Sequence, residues 1–255
     1  MSRTMVLAQN TFREAVRDKM LVACLFFGAI SLAGAVCLAP LTLGEKGRII
    51  SDLGLASISV FSIVILVLVG TGLIYKEIER RTITTILTHP VHRHEFVLGK
   101  FVGLASMLLT CLGVLSVLYL SVVAFFGDGI TLSHIAALFL TALEIIMATA
   151  VALFFATVAS PILSAVFTVC VFVLGYLSDD LRSLAAHSGS VAVQFAAKAI
   201  YAVLPAFHHF HVRNHLLSGV PVPPEHLLRC ILYAALDTTA LLLLTIVVFR
   251  KRDFQ

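Results

Sequence analysis

LIYKEIERRTITTILTHPVHRHEFVLGKFVG, running from Leu73 to Gly103, is the most charged stretch of a chain that is otherwise strongly apolar. One long apolar run ends where this stretch begins, and another starts where it ends. Apolar runs of such length are typical of helices that cross a membrane. We therefore interpret residues 76–98 as a loop between two membrane spans, and the chain around it as a membrane domain.

The composition excludes a soluble protein. Only 13% of the 255 residues are charged, 60% are hydrophobic, and the mean hydropathy is +1.03. Soluble domains carry about 25% charged residues, so this chain lacks the polar groups to cover a globular surface. We predict an all-α polytopic membrane protein that forms a single transmembrane domain over residues 1–255. The small net charge of +4 comes from basic residues at segment ends, which indicates membrane orientation and argues against nucleic-acid binding.

Six apolar runs are predicted to span the membrane: residues 20–40, 53–75, 99–126, 133–158, 162–178 and 226–249. Residues 4–19 precede them as a predicted amphipathic helix, in which Met5, Ala8, Phe12 and Val16 recur at helical spacing on one face. Such a helix can lie in the membrane interface. A polar tail that is merely helical is the alternative.

The segment of residues 179–225, between the fifth and sixth spans, is long and mixed in polarity. Residues 191–204 are apolar enough for a helix but too short to span, and Pro205 follows them. This pattern predicts an extracytoplasmic re-entrant or interfacial hairpin. A small folded extracytoplasmic cap is the alternative.

The distribution of lysine and arginine predicts the orientation. With the N-terminus inside, twelve of the eighteen basic residues fall in inner segments and six in outer ones. An excess of positive charge marks the cytoplasmic side. We therefore expect both termini and residues 76–98 to be cytoplasmic, and residues 179–225 to lie outside.

Two acidic residues, Glu144 and Asp237, fall inside predicted spans. A charge near the bilayer centre costs at least about 2.5–3.5 kcal/mol on insertion scales, so each should face the bundle interior, be protonated or have a partner. One hypothesis makes them residues of a substrate or proton pathway. The other is an interhelical hydrogen bond to a hydroxyl such as that of Thr141, Thr238 or Thr239.

The chain contains none of the common catalytic or nucleotide-binding motifs. GxxxxGK[ST], HExxH, GxSxG and the Rossmann glycine pattern are all absent from the sequence. His211 and His215 are four residues apart, a spacing that suits a metal on one helical face. Since the only nearby acidic ligand is Glu225, we expect no metal site and interpret these residues as interfacial histidines.

The charged stretch has the features of a protrusion. Lys76, Glu77, Glu79 and Arg80 place both signs of charge over two helical turns, and a mildly apolar patch follows. Pro90 ends this helix because the residue before a proline is pushed out of the α region. A rigid protrusion of this kind can fill a groove on a soluble partner; a hairpin loop of no special purpose is the alternative.

Residues 74–100 strongly resemble the loop after the second span in ABC transporter permeases of the second, exporter-like type. Those families show the pattern Y-K-E-x-E-x-x-T-x-x-x-x-L-x-x-P-x-x-R-x-E-x-x-x-G-K. This chain matches it at Tyr75, Lys76, Glu77, Glu79, Thr82, Leu87, Pro90, Arg93, Glu95, Gly99 and Lys100. The group includes the permease that helps to mature nitrous oxide reductase. Residues 10–14 and 249–254 also look like this group.

The resemblance implies a complex in a prokaryotic cytoplasmic membrane. It implies two copies of the six-span chain with a pathway near their interface, and two separate ATPase subunits that bind and hydrolyse ATP with magnesium. This chain would then be no enzyme and would carry no cofactor. The resemblance also implies a coupling helix that binds the ATPase, for which we select Lys76, Glu77, Glu79, Arg80, Thr82, Ile86, Pro90, Arg93 and Glu95.

Three functions are compared. The first is a permease subunit of an ATP-driven exporter of a hydrophobic or amphiphilic substrate. The second is a mechanotransmitter that relays ATP-driven motion to a periplasmic partner without transport. The third, an intramembrane metal-dependent enzyme, is the weakest because the candidate ligands lie at the surface, whereas such an enzyme needs a convergent catalytic set at one depth.

Overall fold

Residues 3–38, 46–70, 72, 93–127, 129–187, 204–210 and 222–251 are described by the computed structural model of the chain. Within these ranges the chain forms helices joined by turns, without a strand. The helices are α1 (Arg3–Val16), α2 (Lys19–Leu38), α3 (Lys46–Ile65), α4 (Arg93–Phe126), α5 (Leu132–Val158), α6 (Pro161–His187) and α7 (Pro224–Lys251). A π-helix, Leu66–Gly70, continues α3, and a 3₁₀ turn, Phe207–Phe210, precedes α7.

Six of these helices, α2 to α7, are long and apolar enough to cross a membrane. The predicted all-helical architecture with six spans is therefore confirmed. The helices extend past the predicted spans: α3 begins at Lys46 and not at residue 53, α4 begins at Arg93 and not at residue 99, and α6 continues to His187. Hydropathy reports only the part of a helix that lies in hydrocarbon, and a helix can continue beyond it with polar residues.

The fourth span, α5, is the centre of the bundle. In its most apolar part 61% of the residues are buried, against 22% in α6 and in α7. It packs against α3, α4, α6 and α7. The outer helices instead present large apolar side chains on the surface, among them Phe26, Ile162 and Leu236. Such a surface is suited to lipid, which is as apolar as the side chains themselves.

The amphipathic helix α1 packs along the first half of α4. Its buried side chains are Ala8, Thr11 and Ala15, whereas Met5 and Val16 are exposed. The face that contacts the bundle is therefore rotated from the predicted apolar face, because close helix contact selects small side chains and not the most apolar ones. Asp18 then caps α2, since its carboxylate accepts a hydrogen bond of 2.9 Å from the backbone N–H of Met20.

Candidate functional site

The predicted coupling residues lie mostly outside the described part of the chain. This applies to Lys76, Glu77, Glu79, Arg80, Thr82, Ile86 and Pro90, so their role stays a prediction. Arg93 begins α4, and Glu95 lies in its first turn, where a carboxylate is favoured by the helix dipole. The structure does describe both helices that carry the loop, and these form the base of the candidate site.

Two glycines let α1 approach the return helix α4 closely. A Cβ at Gly99 would lie 2.8 Å from the Cβ of Leu7, and a Cβ at Gly103 would lie 2.6 Å from the Cβ of Thr11. Gly103 also faces backbone, since its Cβ would lie 2.7 Å from the carbonyl oxygen of Ala8. Side chains larger than hydrogen are thereby excluded at both positions. We call this contact the glycine seam.

The same turn of α4 is tied to the end of the last span. The ring of Phe96 stacks on that of Phe249, with 5.8 Å between centroids and 13° between planes. Lys100 is 2% exposed, and its ammonium lies 5.9 Å from the centre of the Phe96 ring, within the range of a cation–π interaction. The return helix is therefore held on two sides, by α1 and by α7.

The other helix that carries the loop ends differently. After Ile65 the α-helical winding changes to a π turn, Leu66–Gly70, whose Leu66, Val69 and Gly70 are buried. This turn contacts α2, α5 and α6. It lies inside the bundle, and it leads into the predicted loop.

Glu144 forms a polar cluster at the centre of the bundle. It is 2% exposed. Its carboxyl group and the hydroxyl of Tyr176 are hydrogen-bond partners, and Ser59 is a second side-chain partner of Tyr176. One carboxyl oxygen, Oε1, is buried without a hydrogen-bond partner. Three spans, α3, α5 and α6, therefore meet through side-chain polar contacts at this point.

The partner of Glu144 differs from the hydroxyls that the sequence suggested. Thr141 donates to the carbonyl oxygen of Ala137 at 3.0 Å, and Thr239 donates to that of Ala235 at 2.6 Å. Threonine hydroxyls in helices commonly form such bonds to their own backbone. Asp237 lies on α7 with its Oδ2 buried and without a hydrogen-bond partner. Glu144 is buried and Asp237 is half-buried, and the sequence did not indicate the partner of Glu144.

The histidines between the fifth and sixth spans are only partly described. His211 and His215 lie outside the described residues, and the described ranges hold no cluster of three His, Cys, Asp or Glu side chains that could bind a metal. His208 Nδ1 lies 3.0 Å from Ser178 Oγ, and His226 Nε2 donates to the carbonyl oxygen of His209 at 3.1 Å. These histidines join the segment 204–210 to α6 and α7 by hydrogen bonds.

Gly175 of α6 fixes the position of the segment 204–210. A Cβ there would collide with the carbonyl oxygen of Pro205 and would lie 2.6 Å from the ring of Phe207. Phe207 is fully buried and packs on Phe172 at 5.1 Å between ring centroids. The backbone N–H of Ala206 donates to the Tyr233 hydroxyl at 2.8 Å.

Replacing Gly175 with alanine is expected to displace residues 204–210 from α6, because the nearest obstacle is backbone and cannot rotate away. We expect faster hydrogen–deuterium exchange, by about ten-fold, in this segment, which corresponds to about 1.4 kcal/mol of lost local stability. Gly113→Ala is the matched control, since a Cβ at Gly113 has nothing within 4 Å. Equal exchange in both variants would contradict the close approach.

A second buried cluster was not predicted from the sequence. His134 Nδ1 accepts a hydrogen bond of 3.1 Å from the backbone N–H of Thr131, and its Nε2 lies 3.0 Å from Ser51 Oγ. Tyr119 donates to the backbone carbonyl of Ser51 at 3.4 Å and packs over Gly54, where a Cβ would lie 2.6 Å from the ring. The Thr131-x-x-His134 spacing at the helix start is the only sequence signal for this cluster.

The fold defines the class of protein: an integral membrane protein with six helical spans and a charged segment between the second and third. The chain matches the model of the ABC-2 family transporter proteins over residues 5–254, and it belongs to this family. It is therefore a membrane permease subunit of an ABC transporter, a class of transport component that associates with ABC ATPase subunits. A search of curated proteins found no match.

Proposed function

We propose that this permease is the membrane part of an exporter for a hydrophobic or amphiphilic substrate, driven by two ATPase subunits that bind residues 76–98. A homodimer in a prokaryotic cytoplasmic membrane, with both termini in the cytoplasm, is part of the proposal. The observation that carries it is the anchoring of the return helix, which leaves the loop and is fixed to both α1 and α7.

Because of this anchoring, a force on the loop is transmitted to the helices of the bundle. Because the glycine seam and the Phe96–Phe249 stack hold α4 against α1 and α7, a force on the loop moves these helices together. ATP brings the ATPase subunits together, the loops follow, and the spans shift as packed units between two arrangements.

The proposed substrate class follows from the faces of the spans that could line a pathway between two copies of the chain. These faces present large apolar side chains, among them Phe26, Ile162 and Leu236. A small hydrophilic ion would need a lining of charged or polar groups. The direction of transport is proposed from the resemblance of the loop to exporter-like permeases.

Charge reversal at Glu79, or Ile86→Asp, is expected to abolish co-purification of the ATPase subunits and with it the permease-dependent part of ATP turnover. Both changes alter the predicted contact surface, where mismatched charges cost several kcal/mol. Glu225→Arg is the matched control: Glu225 is 83% exposed near the start of α7, and its pairing with Arg229 across 3.7 Å is solvent-exposed and weak. Unchanged assembly in both loop variants would refute the docking role.

A further inference from the structure

The π turn Leu66–Gly70 is the one element of a described span that departs from α-helical winding towards a wider helix. A π turn has i→i+5 hydrogen bonds, appears mostly as a single turn within an α-helix, and is frequent at functional sites. It holds more residues per turn than the surrounding α-helix. Such a turn can return to α winding by releasing a residue into the chain that follows.

The π turn is held in place by packing against its neighbours and is not a frayed helix end. Leu66 is fully buried and Val69 is 1% exposed, whereas Leu68 between them is 50% exposed. Gly70 closes the turn: a Cβ there would lie 3.1 Å from Leu66 Cδ1, tighter than an ordinary contact. The turn therefore has a defined inner and outer side.

The consequence for the loop is a change of register. When one residue passes from the π turn into α winding, the chain after Gly70 rotates by about 100° and shifts by about 1.5 Å along the axis. The helix on the other side of the loop does not rotate with it, because the glycine seam and the Phe249 stack fix α4 relative to α1 and α7. One end of the loop is thus fixed and the other adjustable.

We propose that Leu66–Gly70 is a register switch, which alternates between π and α winding as the docked ATPase subunits change nucleotide state. The inference rests on the proposed function, since it takes the force on the loop from these subunits. Two windings of one buried turn supply the two discrete arrangements that a nucleotide-driven transition requires.

Deletion of Leu68 tests the switch in the complex with the ATPase subunits in nanodiscs. Leu68 lies on the exposed side of the turn. Its loss permits α winding, and the buried residues on either side keep their positions around the helix axis. We expect normal binding of the ATPase subunits and a permease-dependent ATP turnover lowered by at least about five-fold. Hydrogen–deuterium exchange of residues 66–70 should differ between ATP–vanadate and nucleotide-free states in the unmodified complex, and should no longer differ in the variant.

Deletion of Val60 is the matched control, because Val60 is 56% exposed but lies in the regular part of α3. Its loss rotates one part of the span against the other by about 100°, and we expect the complex not to assemble. A Leu68 deletion that folds but, like the Val60 deletion, does not assemble would overturn the switch, as would exchange at residues 66–70 that is independent of nucleotide in the unmodified complex.

Gly70→Ala decides the question if the Leu68 deletion does not fold. It favours α winding without removing a residue, because alanine has a higher α-helix propensity than glycine, and we expect it to reduce the exchange difference between nucleotide states by at least about two-fold. An unchanged difference overturns the switch. Failure of the unmodified chain to bind ATPase subunits refutes the proposed function itself, whereas binding combined with an unaffected π turn refutes the switch alone.

Discussion

Gly103→Leu is expected to lower the apparent melting temperature of the purified chain by about 4–12 °C. Overpacking costs about 2–3 kcal/mol, and each kcal/mol lowers the melting temperature of a chain of this size by about 2–4 °C. The leucine side chain would enter the space of Thr11 and of the Ala8 carbonyl, both on α1. Since neither the backbone nor a β-branched side chain can move aside, α1 must separate from α4.

Gly113→Leu is the control for this substitution. Gly113 lies on the same helix, and a Cβ there meets nothing within 4 Å, so the same change in size and helix propensity should leave the melting temperature nearly unchanged. Limited proteolysis between α1 and α2 provides a second measurement, with faster cleavage expected only for Gly103→Leu. Equal destabilisation by the two leucines would show that the glycine seam does not hold α1.

The effect on coupling follows from the same contact. If α1 and α4 move as one unit, Gly103→Leu should leave binding of the ATPase subunits in place and lower permease-dependent ATP turnover. Gly103→Ala should also lower permease-dependent ATP turnover, but by less than Gly103→Leu. Gly103→Leu, at the base of the loop, should therefore lower turnover without loss of binding. Ile86→Asp, on the predicted docking surface, should instead abolish binding.

Glu144→Ala is expected to destabilise the bundle by about 2–4 kcal/mol. It leaves the buried Tyr176 hydroxyl without its acceptor, a loss of about 1–3 kcal/mol, and it adds a cavity between α5 and its neighbours. Glu144→Gln keeps an oxygen that accepts the hydrogen bond, so its stability should stay close to that of the unmodified chain. Apparent melting temperatures of the purified variants measure both effects.

A double-mutant cycle with Tyr176→Phe tests the pair directly. If Tyr176 acts through Glu144, the two single changes should be non-additive by about 0.5–3 kcal/mol; additive losses would contradict the contact. The cycle also separates the two hypotheses for Glu144. A structural hydrogen bond predicts that Glu144→Gln retains transport, whereas a pathway acid predicts a stable variant that has lost it.

The number and order of the spans were determined by the sequence alone. Each span is a continuous apolar run, and its burial in hydrocarbon depends on its own length and composition and not on its neighbours. The burial of Glu144 follows from the same reasoning, because a carboxyl group in such a run must avoid lipid, whereas Asp237 is only half-buried. The charged stretch between the second and third spans likewise indicated the family through its own residues.

Only the tertiary structure decided what each buried residue contacts. Lipid is as apolar as a bundle interior, so hydropathy cannot distinguish the face of α5 that meets other helices from a face of α7 that meets lipid. For this reason the sequence indicated an apolar face of α1 with Met5, Ala8, Phe12 and Val16 but not the side that contacts α4, which the structure forms from Ala8, Thr11 and Ala15. The close approach at Gly103 and the π turn at Leu66–Gly70 depend on neighbouring helices. The local sequence pattern therefore predicts neither feature.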